Sequence, residues 1–399
     1  MKIIGPISQS KILFLQGPMG YFFRNLSRHF SSHGATTHTI CFNAGDWLFS
    51  DSENRYNFFA SLSEWEPFFT NFISDFAISK IFLFGNCRQY HKAAIKIAQE
   101  AGIEVYVFEE GYIRPNYITL EKNGVNGDSG LPKDPSFYNK WQIRPTGSES
   151  AAENRFLKMA LLATIYYLAT ASFKPVYPHY IHHRSLNLGK EFFSGLRNFI
   201  RKFSLSITER HFEKMLTSLI NDTYYFVPLQ TRTDFQLTEY SDFSSIEEFI
   251  TEVITSFSKY APPETYLVIK HHPMERGMSN YKQLISDLSS KHGVEDRVFT
   301  LFDVHLPTCL KKAIGTITIN STVGLSSLFH GTPTIALGTA IYDIEGLTCK
   351  GMKLDDFWTQ FVMPDRRLFR KFRNYVIIHT QLNGGFYGRF PDFSSEKHC

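Results

Sequence analysis

Two adjacent carboxylates, Glu109 and Glu110, lie in a pattern that is typical of an active-site loop. They follow the apolar run Val105–Phe108, which predicts a buried strand, and they precede Gly111 in what we expect to be a loop. In open α/β sheets ligands bind outside the carboxyl ends of the strands, and carboxylates that are desolvated there need partners or a chemical task. The structural alternative is that both glutamates cap the following turn and pair with Arg114.

A third carboxylate, Asp234, follows another predicted strand, in the segment Gln230–Asp234. We expect it to face the glutamate pair across a cleft. Two carboxyl positions on opposite walls suit glycosyl transfer, in which one group attacks or stabilises the anomeric carbon and the other handles a proton.

Two further segments are typical of phosphate binding. Lys270 and His272 end a predicted core strand, and Pro273 forces the chain to turn, so this loop can hold a phosphate. In residues 317–327 a strand runs into a hydroxyl-rich turn that opens a helix, and free N–H groups with the helix dipole favour an anion there. The polar residues of this turn and helix are Asn320, Ser321, Thr322, Ser326 and Ser327. The structural alternatives are a loop histidine without a ligand and simple N-capping by Asn320 or Ser321.

Two loops in the first third of the chain are expected at the same sheet edge. Gln16–Gly20 follows the first predicted strand, and residues 43–46, with Asn43 and Asp46, follow the second. The glycines of the first loop let a backbone approach a ligand closely. Neither GxGxxG nor the lysine of a P-loop is present, so the loop is not a nucleotide fingerprint.

Strand and helix patterns alternate in both halves of the chain, which predicts two Rossmann-like sheets. In the first half the predicted strands are 11–15, 36–42, 81–85 and 105–108, with helices at 20–33 and 91–102. In the second half the predicted strands are 224–230, 266–270, 298–301, 315–319 and 334–337, with helices at 245–259 and 280–292. Further helical stretches are predicted at 156–173, 186–220 and 355–380. The predicted division is therefore an N-terminal Rossmann-like domain at 1–147, a helical insertion at 148–221, a C-terminal Rossmann-like domain at 222–345, and helices at 346–399 that pack back on the first domain.

Composition narrows the class of protein. A length of 399 residues favours two domains, and a net charge of +4 with a pI near 8.6 falls short of a nucleic-acid binder. This mildly basic charge is more consistent with binding of an anionic substrate or an anionic membrane surface than with binding of nucleic acid. The five cysteines have no CxxC spacing, and no DxD motif is present, so neither a disulfide framework nor a metal site is predicted, and we expect a reducing, cytoplasmic compartment.

One segment favours contact with lipid. Residues 174–214 hold eight Lys or Arg against three Glu, interleaved with phenylalanines, and such a segment can lie on an anionic membrane. The alternative is a solvated helical face packed on a domain. We expect neither a signal peptide nor a membrane-spanning segment.

Five segments together resemble the hallmark motifs of the bacterial capsule polysaccharide β-Kdo transferases of the KpsS type. They are FLQGP at 14–18, FNAGD at 42–46, FGNCRQYH at 84–91, FEEGYIRP at 108–115 and GVNG at 124–127. The resemblance implies a GT-B-like α/β fold with two Rossmann-like domains facing a cleft, the first on the acceptor side and the second binding a CMP-sugar. It also implies a retaining glycosyltransferase that moves Kdo from CMP-Kdo to a lysophosphatidylglycerol acceptor at the inner membrane, and so starts the poly-Kdo linker of a capsular polysaccharide.

The resemblance also implies roles for particular residues. Asp234 would be the nucleophile of a double displacement, and Glu110 or Glu109 the acid/base. The residues expected around the nucleotide are Gln230, Lys270, His272, Pro273, Asn320, Ser321, Thr322, Ser326 and Ser327. Those expected on the acceptor side or elsewhere in the cleft are Gln16, Asn43, Asp46, Arg88 and Arg114. No cofactor and no metal is implied beyond the CMP-Kdo donor.

Three alternatives lead to different expectations. The resemblance implies a peripheral inner-membrane enzyme whose partners include other capsule synthesis and export proteins, and no nucleic acid. A transferase that uses another CMP-activated donor, or a CDP-alcohol, would share the nucleotide loops. A non-catalytic scaffold or export component of a capsule assembly complex would bind lipid-linked glycan and would not depend on Asp234 or Glu110.

Overall fold

The computed structural model describes residues 3–50, 54–147, 155–182, 209–219, 223–273, 275 and 280–393. Within these residues the chain forms twelve strands. They are β1 (Lys11–Phe14), β2 (Thr36–Cys41), β3 (Arg55–Asn57), β4 (Lys80–Phe84), β5 (Glu104–Glu110), β6 (Tyr117–Lys122), β7 (Tyr224–Pro228), β8 (Tyr266–Lys270), β9 (Val298–Leu301), β10 (Ala313–Thr318), β11 (Thr334–Ala336) and β12 (Gln381–Asn383).

The same described ranges contain fourteen α-helices. They are α1 (Phe22–Ser32), α2 (Ala44–Phe49), α3 (Trp65–Asp75), α4 (Gln89–Glu100), α5 (Pro135–Lys140), α6 (Phe156–Ser172), α7 (Arg210–Lys214), α8 (Phe235–Glu239), α9 (Ile246–Tyr260), α10 (Lys282–Lys291), α11 (Leu306–Lys311), α12 (Val323–His330), α13 (Leu354–Gln360) and α14 (Arg366–Thr380). None of the helices in the part of the chain that is described has the length and apolar character needed to cross a bilayer.

The described residues group into two compact units. The first unit draws on residues 1–130, 144–188 and 376–399, and the second on residues 131–143 and 189–375. The predicted insertion at 148–221 is thus shared, since α6 belongs to the first unit and α7 to the second. Residues 183–208, which carry most of the predicted lipid-facing segment and much of the helix predicted at 186–220, lie outside the described residues.

Both sheets have the strand order of a doubly wound fold. The first runs β12-β6-β5-β4-β1-β2-β3, and the second runs β11-β10-β7-β8-β9. The second is parallel throughout, and β1 to β5 of the first are parallel too. When the parallel strands of each sheet are numbered 1 to 5 along the chain, their order across both sheets is 3-2-1-4-5, which is the order of a Rossmann fold. The order changes direction between the first and the fourth strand. The predicted α/β class with two Rossmann-like sheets is confirmed.

The first sheet ends in two antiparallel strands that the sequence patterns did not predict. β6 pairs antiparallel with β5, and β12 pairs antiparallel with β6. The hairpin partner lengthens β5 as far as Glu110, so both glutamates lie in the strand. The expectation that they lie in a loop is therefore wrong, because β6 supplies backbone hydrogen bonds that a loop would lack.

Each sheet is covered by apolar side chains on both faces. In the first sheet Leu13, Leu83 and Val107 point into one cluster, whereas Phe14 and Phe108 point into the other. The second cluster is rich in phenylalanine and also receives residues from the end of the described chain. Much of the high aromatic content thus fills the core of this unit rather than its surface.

Candidate functional site

The two glutamates of β5 point to opposite faces of the first sheet. Glu109 pairs with Thr119 and Glu110 with Ile118 on β6, and successive side chains of a strand alternate between the two faces. Glu109 is half-buried and Glu110 is exposed. One reacting atom therefore cannot contact both carboxylates from the same face of the sheet. We expect the two glutamates to have different roles.

The turn after β5 is fixed by close packing. A Cβ on Gly111 would lie 2.0 Å from the carbonyl oxygen of Tyr117, so only glycine fits. The buried Tyr112 hydroxyl donates to Oε1 of Glu121 at 2.6 Å. Arg114 donates through Nε to the carbonyl of Gly111 at 3.3 Å. The turn thus holds Glu110 on a rigid element, and the hydrogen bond from Arg114 stabilises the turn.

Glu109 and Arg88 both approach Gly85, near the point where the strand order reverses. A Cβ on Gly85 would lie 3.7 Å from Oε2 of Glu109 and 3.9 Å from Nε of Arg88. Nη1 of Arg88 donates to Oε1 of Gln16 at 2.8 Å. Gln16 follows β1 and Arg88 follows β4, so this hydrogen bond joins the two loops at the switch point, where open α/β sheets bind ligands.

Gln16, Asn43 and Asp46 come together in a polar network with α6. The Tyr166 hydroxyl donates to Oδ1 of Asp46 at 2.7 Å and accepts from Gln16 and Asn43, both at 2.9 Å. Asp46 Oδ2 also accepts from the backbone N–H of Phe42 at 3.1 Å. The structure therefore engages these three residues in holding α6 on the sheet.

The environment of Asp46 changes its acidity. Burial raises the pKa of Asp46 to about 6, although hydrogen bonds from Tyr166, Phe42 and Gln16 work in the opposite direction. Tyr166 packs so closely on α2 that a Cβ on Gly45 would lie 2.6 Å from its ring. A small cavity of about 30 Å³, room for roughly one water, borders Asp46 and Tyr166. Asp46 is thus an inward-facing carboxyl that titrates near neutrality.

The second unit brings Gln230, Asp234 and Asn320 together at its own switch point. Nε2 of Gln230 donates to Oδ2 of Asp234 at 3.1 Å and to Oδ1 of Asn320 at 2.9 Å. Asp234 also caps α8, since its Oδ1 accepts from the N–H of Gln236 at 2.9 Å. Gln230 follows β7 and Asn320 follows β10, which repeats the arrangement of Gln16 and Arg88 in the first unit.

The helix that follows β10 separates the predicted hydroxyls into different environments. Ser321 Oγ accepts from the N–H of Val323 at 3.2 Å, so it caps the start of α12 beside Thr322. Ser326 is exposed, one turn further on. Ser327 is fully buried and hydrogen bonds to Thr316 at 2.7 Å. The helix start lies next to Asn320, whereas Ser327 faces the core.

The predicted phosphate loop after β8 is also divided. Lys270 is buried, and its Nζ donates to the carbonyl of Phe302 at 2.9 Å. His271 is buried as well and stacks on the Phe302 ring, with centroids 4.0 Å apart. His272 is half-buried and Pro273 is exposed. The outward-facing residues of this loop are therefore His272 and Pro273.

Several residues around these groups were not predicted. Tyr166 and Tyr180 reach Gln16 from residues far along the chain, and Tyr387 lies beside Glu110. Arg155 and Arg389 line a pocket with Glu110. No local signal identifies such contacts, although the run of tyrosines after residue 165 indicated a polar side on an otherwise apolar helix. Within the described ranges no three His, Cys, Asp or Glu side chains are grouped in a way that could hold a metal ion.

The family is shown by comparison with known proteins. The family model described as "Capsule polysaccharide biosynthesis protein" matches residues 79–387. The chain is 37% identical over 381 residues to "Capsule polysaccharide export protein KpsS" of Escherichia coli, covering 96% of this chain and 98% of that protein. It is 36% identical over 394 residues to "Capsule polysaccharide modification protein LipB" of Neisseria meningitidis serogroup B, covering 96% and 94%. The chain therefore belongs to the capsule polysaccharide biosynthesis protein family.

The chain also has similarity to a solved structure, at low sequence identity. "Thermosulfurimonas dismutans KpsC, beta Kdo 2,7 transferase" covers 91% of this chain and 89% of its own, with 14% identity and a TM-score of 0.41.

Proposed function

We propose that this protein is a retaining glycosyltransferase that moves Kdo from CMP-Kdo to lysophosphatidylglycerol and so begins the linker of a capsular polysaccharide. The observation that carries the proposal is the group formed by Gln230, Asp234 and Asn320 at the switch point of the second sheet. A carboxylate oriented by an amide and a backbone N–H, next to the start of α12, suits a nucleophile beside a phosphate leaving group.

The first step forms a bond between a carboxylate oxygen of Asp234 and the anomeric carbon of Kdo. The bond from that carbon to the phosphate oxygen breaks, and CMP leaves with the electron pair. Asn320, Ser321 and Thr322 lie at the end of β10 and the start of α12, where the positive end of the helix dipole favours a phosphate. Gln230 links Asp234 and Asn320, because its Nε2 donates to both side chains and its Oε1 accepts from the backbone N–H of Asn320.

The second step transfers the sugar to a hydroxyl of the acceptor. The hydroxyl oxygen attacks the anomeric carbon from the face opposite to Asp234, the bond to Asp234 breaks, and two inversions give net retention. We assign the proton of that hydroxyl to Glu110, because it is the exposed member of the pair and lines a pocket. We assign Glu109 a positioning role, because its Oε1 accepts from the backbone N–H of Glu110 at 2.9 Å.

A second candidate function is a non-catalytic component of capsule export. The name of the Escherichia coli relative, an export protein, favours it. This reading needs lipid-linked glycan binding but no chemistry at Asp234. Under either reading we place the protein at the cytoplasmic face of the inner membrane with other capsule proteins.

The test is incubation of the purified protein with CMP-Kdo, generated in place, and a fluorescent lysophosphatidylglycerol, followed by mass analysis of the acceptor. We expect a mass increase of one Kdo, lost in Asp234→Asn and retained in the control Asp242→Asn, whose carboxylate is exposed in the same unit. If the protein transferred sugar only from a CMP-sugar other than CMP-Kdo, that other CMP-sugar would be its donor. No transfer from any donor, with lipid binding intact, would favour the export component.

A further inference from the structure

A pocket beside Glu110 lies in the first unit and has no assigned ligand. It has a volume of about 230 Å³ and is formed by the end of β5, the turn before β6, the start of α6 and residues 384–389. Sites for drug-sized ligands usually occupy ~300–1,000 Å³. This pocket therefore suits the headgroup of a larger molecule rather than the whole of it.

The lining of the pocket suits an anionic amphiphile. Two arginines, Arg155 and Arg389, line it together with one acidic residue, Glu110. Arginine binds phosphate through paired, charge-assisted hydrogen bonds. Phe156 and Met159 supply an apolar wall. The excess of positive over negative side chains and the apolar wall together select a phosphate group that is attached to a hydrocarbon.

The helix that forms this wall is apolar on the side that faces away from the protein. Leu162 and Tyr166 are buried against Phe49 of α2, and they alternate with a row of exposed side chains. This row, the leucine stripe, consists of Leu157 (82% exposed), Leu161 (60%), Ile165 (37%) and Leu168 (52%). A row at positions i, i+4, i+8 and i+11 forms one helical face. Contiguous exposed apolar surface of this kind marks an interaction site.

The charges around the stripe indicate what it contacts. Residues 155–182 contain Arg155, Lys158 and Lys174 and no Asp or Glu. Every charged side chain of this segment is thus a cation, which is complementary to an anionic lipid surface, where Leu side chains enter the acyl boundary and Lys and Arg meet phosphates. The buried face is held firmly, since Tyr166 hydrogen bonds to Asp46 and Gln16.

The pocket and the stripe meet at the first residues of α6. Phe156 lines the pocket and is itself 58% exposed, and Leu157, the first member of the stripe, follows it directly. A hydrocarbon chain leaving the pocket past Phe156 therefore emerges at the first turn of α6, where the stripe begins.

We propose that the pocket beside Glu110 binds the phosphate-bearing headgroup of a single-chain anionic lipid, and that the leucine stripe of α6 lies against the anionic lipid layer that supplies it. Arg155 and Arg389 hold the phosphate, Phe156 and Met159 contact the first methylenes, and the headgroup hydroxyl lies near Glu110. This inference rests on the proposed transferase function, for which it specifies the acceptor site.

The headgroup part is tested by binding, without donor, so that catalysis is not required. Fluorescent lysophosphatidylglycerol is titrated into the full chain, into Arg155→Gln/Arg389→Gln and into the control Arg367→Gln/Arg370→Gln, whose arginines are exposed in the other unit. We expect about tenfold weaker binding, or more, in the pocket variant only, as expected when charge-assisted hydrogen bonds are lost. Equal affinities in all three proteins would overturn the assignment, whether or not transfer is observed.

Competition identifies the source of the phosphate. Glycerol phosphate, which has no acyl chain, should displace the fluorescent lipid only at much higher concentration than unlabelled lysophosphatidylglycerol. Equal potency of the two would mean that the chain contributes nothing, and the proposed path along α6 would be wrong. If wild-type protein transfers no sugar but binds the lipid through Arg155 and Arg389, the transferase proposal fails and the lipid site stands.

The stripe is tested by sedimentation with vesicles. Leu157→Ser/Leu161→Ser is compared with the control Val362→Ser/Met363→Ser, whose side chains are similarly exposed in the other unit. We expect the stripe variant to lose binding to vesicles of phosphatidylglycerol and phosphatidylcholine, with its Tm unchanged. Unchanged vesicle binding would refute the membrane role. A lowered Tm with unchanged vesicle binding would show that the stripe packs within the protein instead.

Discussion

The inward-facing Asp46 predicts a specific dependence of stability on pH. Its pKa in the folded protein is about 6, above the ordinary value of 3.8, because burial disfavours the carboxylate. Between these values the folded state binds more protons than the unfolded state, so the free energy of unfolding falls as pH rises through this window. The stabilising contribution is full below pH 4 and is lost above pH 6.

The magnitude follows from the size of the shift. Each pKa unit corresponds to 1.36 kcal/mol, so the complete loss is about 3 kcal/mol, and about 2 kcal/mol of it falls between pH 4 and pH 7. The substitution Asp46→Asn removes the titrating group and keeps the size of the side chain. Other titrating groups are shared by both proteins, so they cancel in the difference.

The assay is urea unfolding of wild type and Asp46→Asn at pH 4 and pH 7, followed by circular dichroism. The asparagine shifts stability by a constant amount, because its amide hydrogens face donors such as the N–H of Phe42. The wild type should lose about 2 kcal/mol relative to the variant as pH rises from 4 to 7. Parallel pH profiles for the two proteins, or a difference of the opposite sign, would refute the reasoning about Asp46.

Three further predictions concern residues on the two sheets. Glu110→Gln should lower kcat at least ~100-fold with little change in the KM for donor, whereas Glu109→Gln should lower it less, and initial rates measure both. Ser327→Ala should lower the stability by about 1–2 kcal/mol, because it removes the buried hydrogen bonds that join Ser327 to Thr316 and Thr334, whereas the exposed Ser326→Ala should change it by less than about 0.5 kcal/mol in the same unfolding assay. Gly111→Ala should disrupt the β5–β6 turn, since its methyl group would overlap the carbonyl of Tyr117, and limited proteolysis near residue 111 should become faster.

The pattern of apolar residues in the sequence predicted those strands and helices that bury one face or both faces in the core. The strand predicted at 266–270 and that at 298–301 agree with β8 and β9 residue for residue, because continuous apolar runs bounded by turns leave little choice. The helix at 156–173 was similarly clear. The short strands β6 and β12 were missed, since each depends on a neighbour that is distant or follows a turn, and neither has a strong alternation of its own.

The sequence predicted where several polar residues lie in the fold, and it predicted their surroundings less well. The ends of β1, β4, β7 and β10 were expected to carry functional groups, and the structure brings Gln16 with Arg88 and Gln230 with Asn320 there. The burial of Lys270 and Ser327 could not be read from the sequence, because it depends on which side of one turn each side chain takes. The contact between Asp46 and Tyr166 spans 120 positions, so no local pattern contains it.

The position of β12 has a consequence for synthesis on the ribosome. The edge of β6 is complete as soon as Lys122 emerges, but its partner is made only near residue 381. At ~5–20 residues per second, that edge waits roughly 10–50 s for its last strand. An unpaired edge is a template for wrong pairing with other chains. Nascent chains stalled before residue 381 should therefore aggregate through β6. Pairing of β12 with β6 covers this edge and removes the risk.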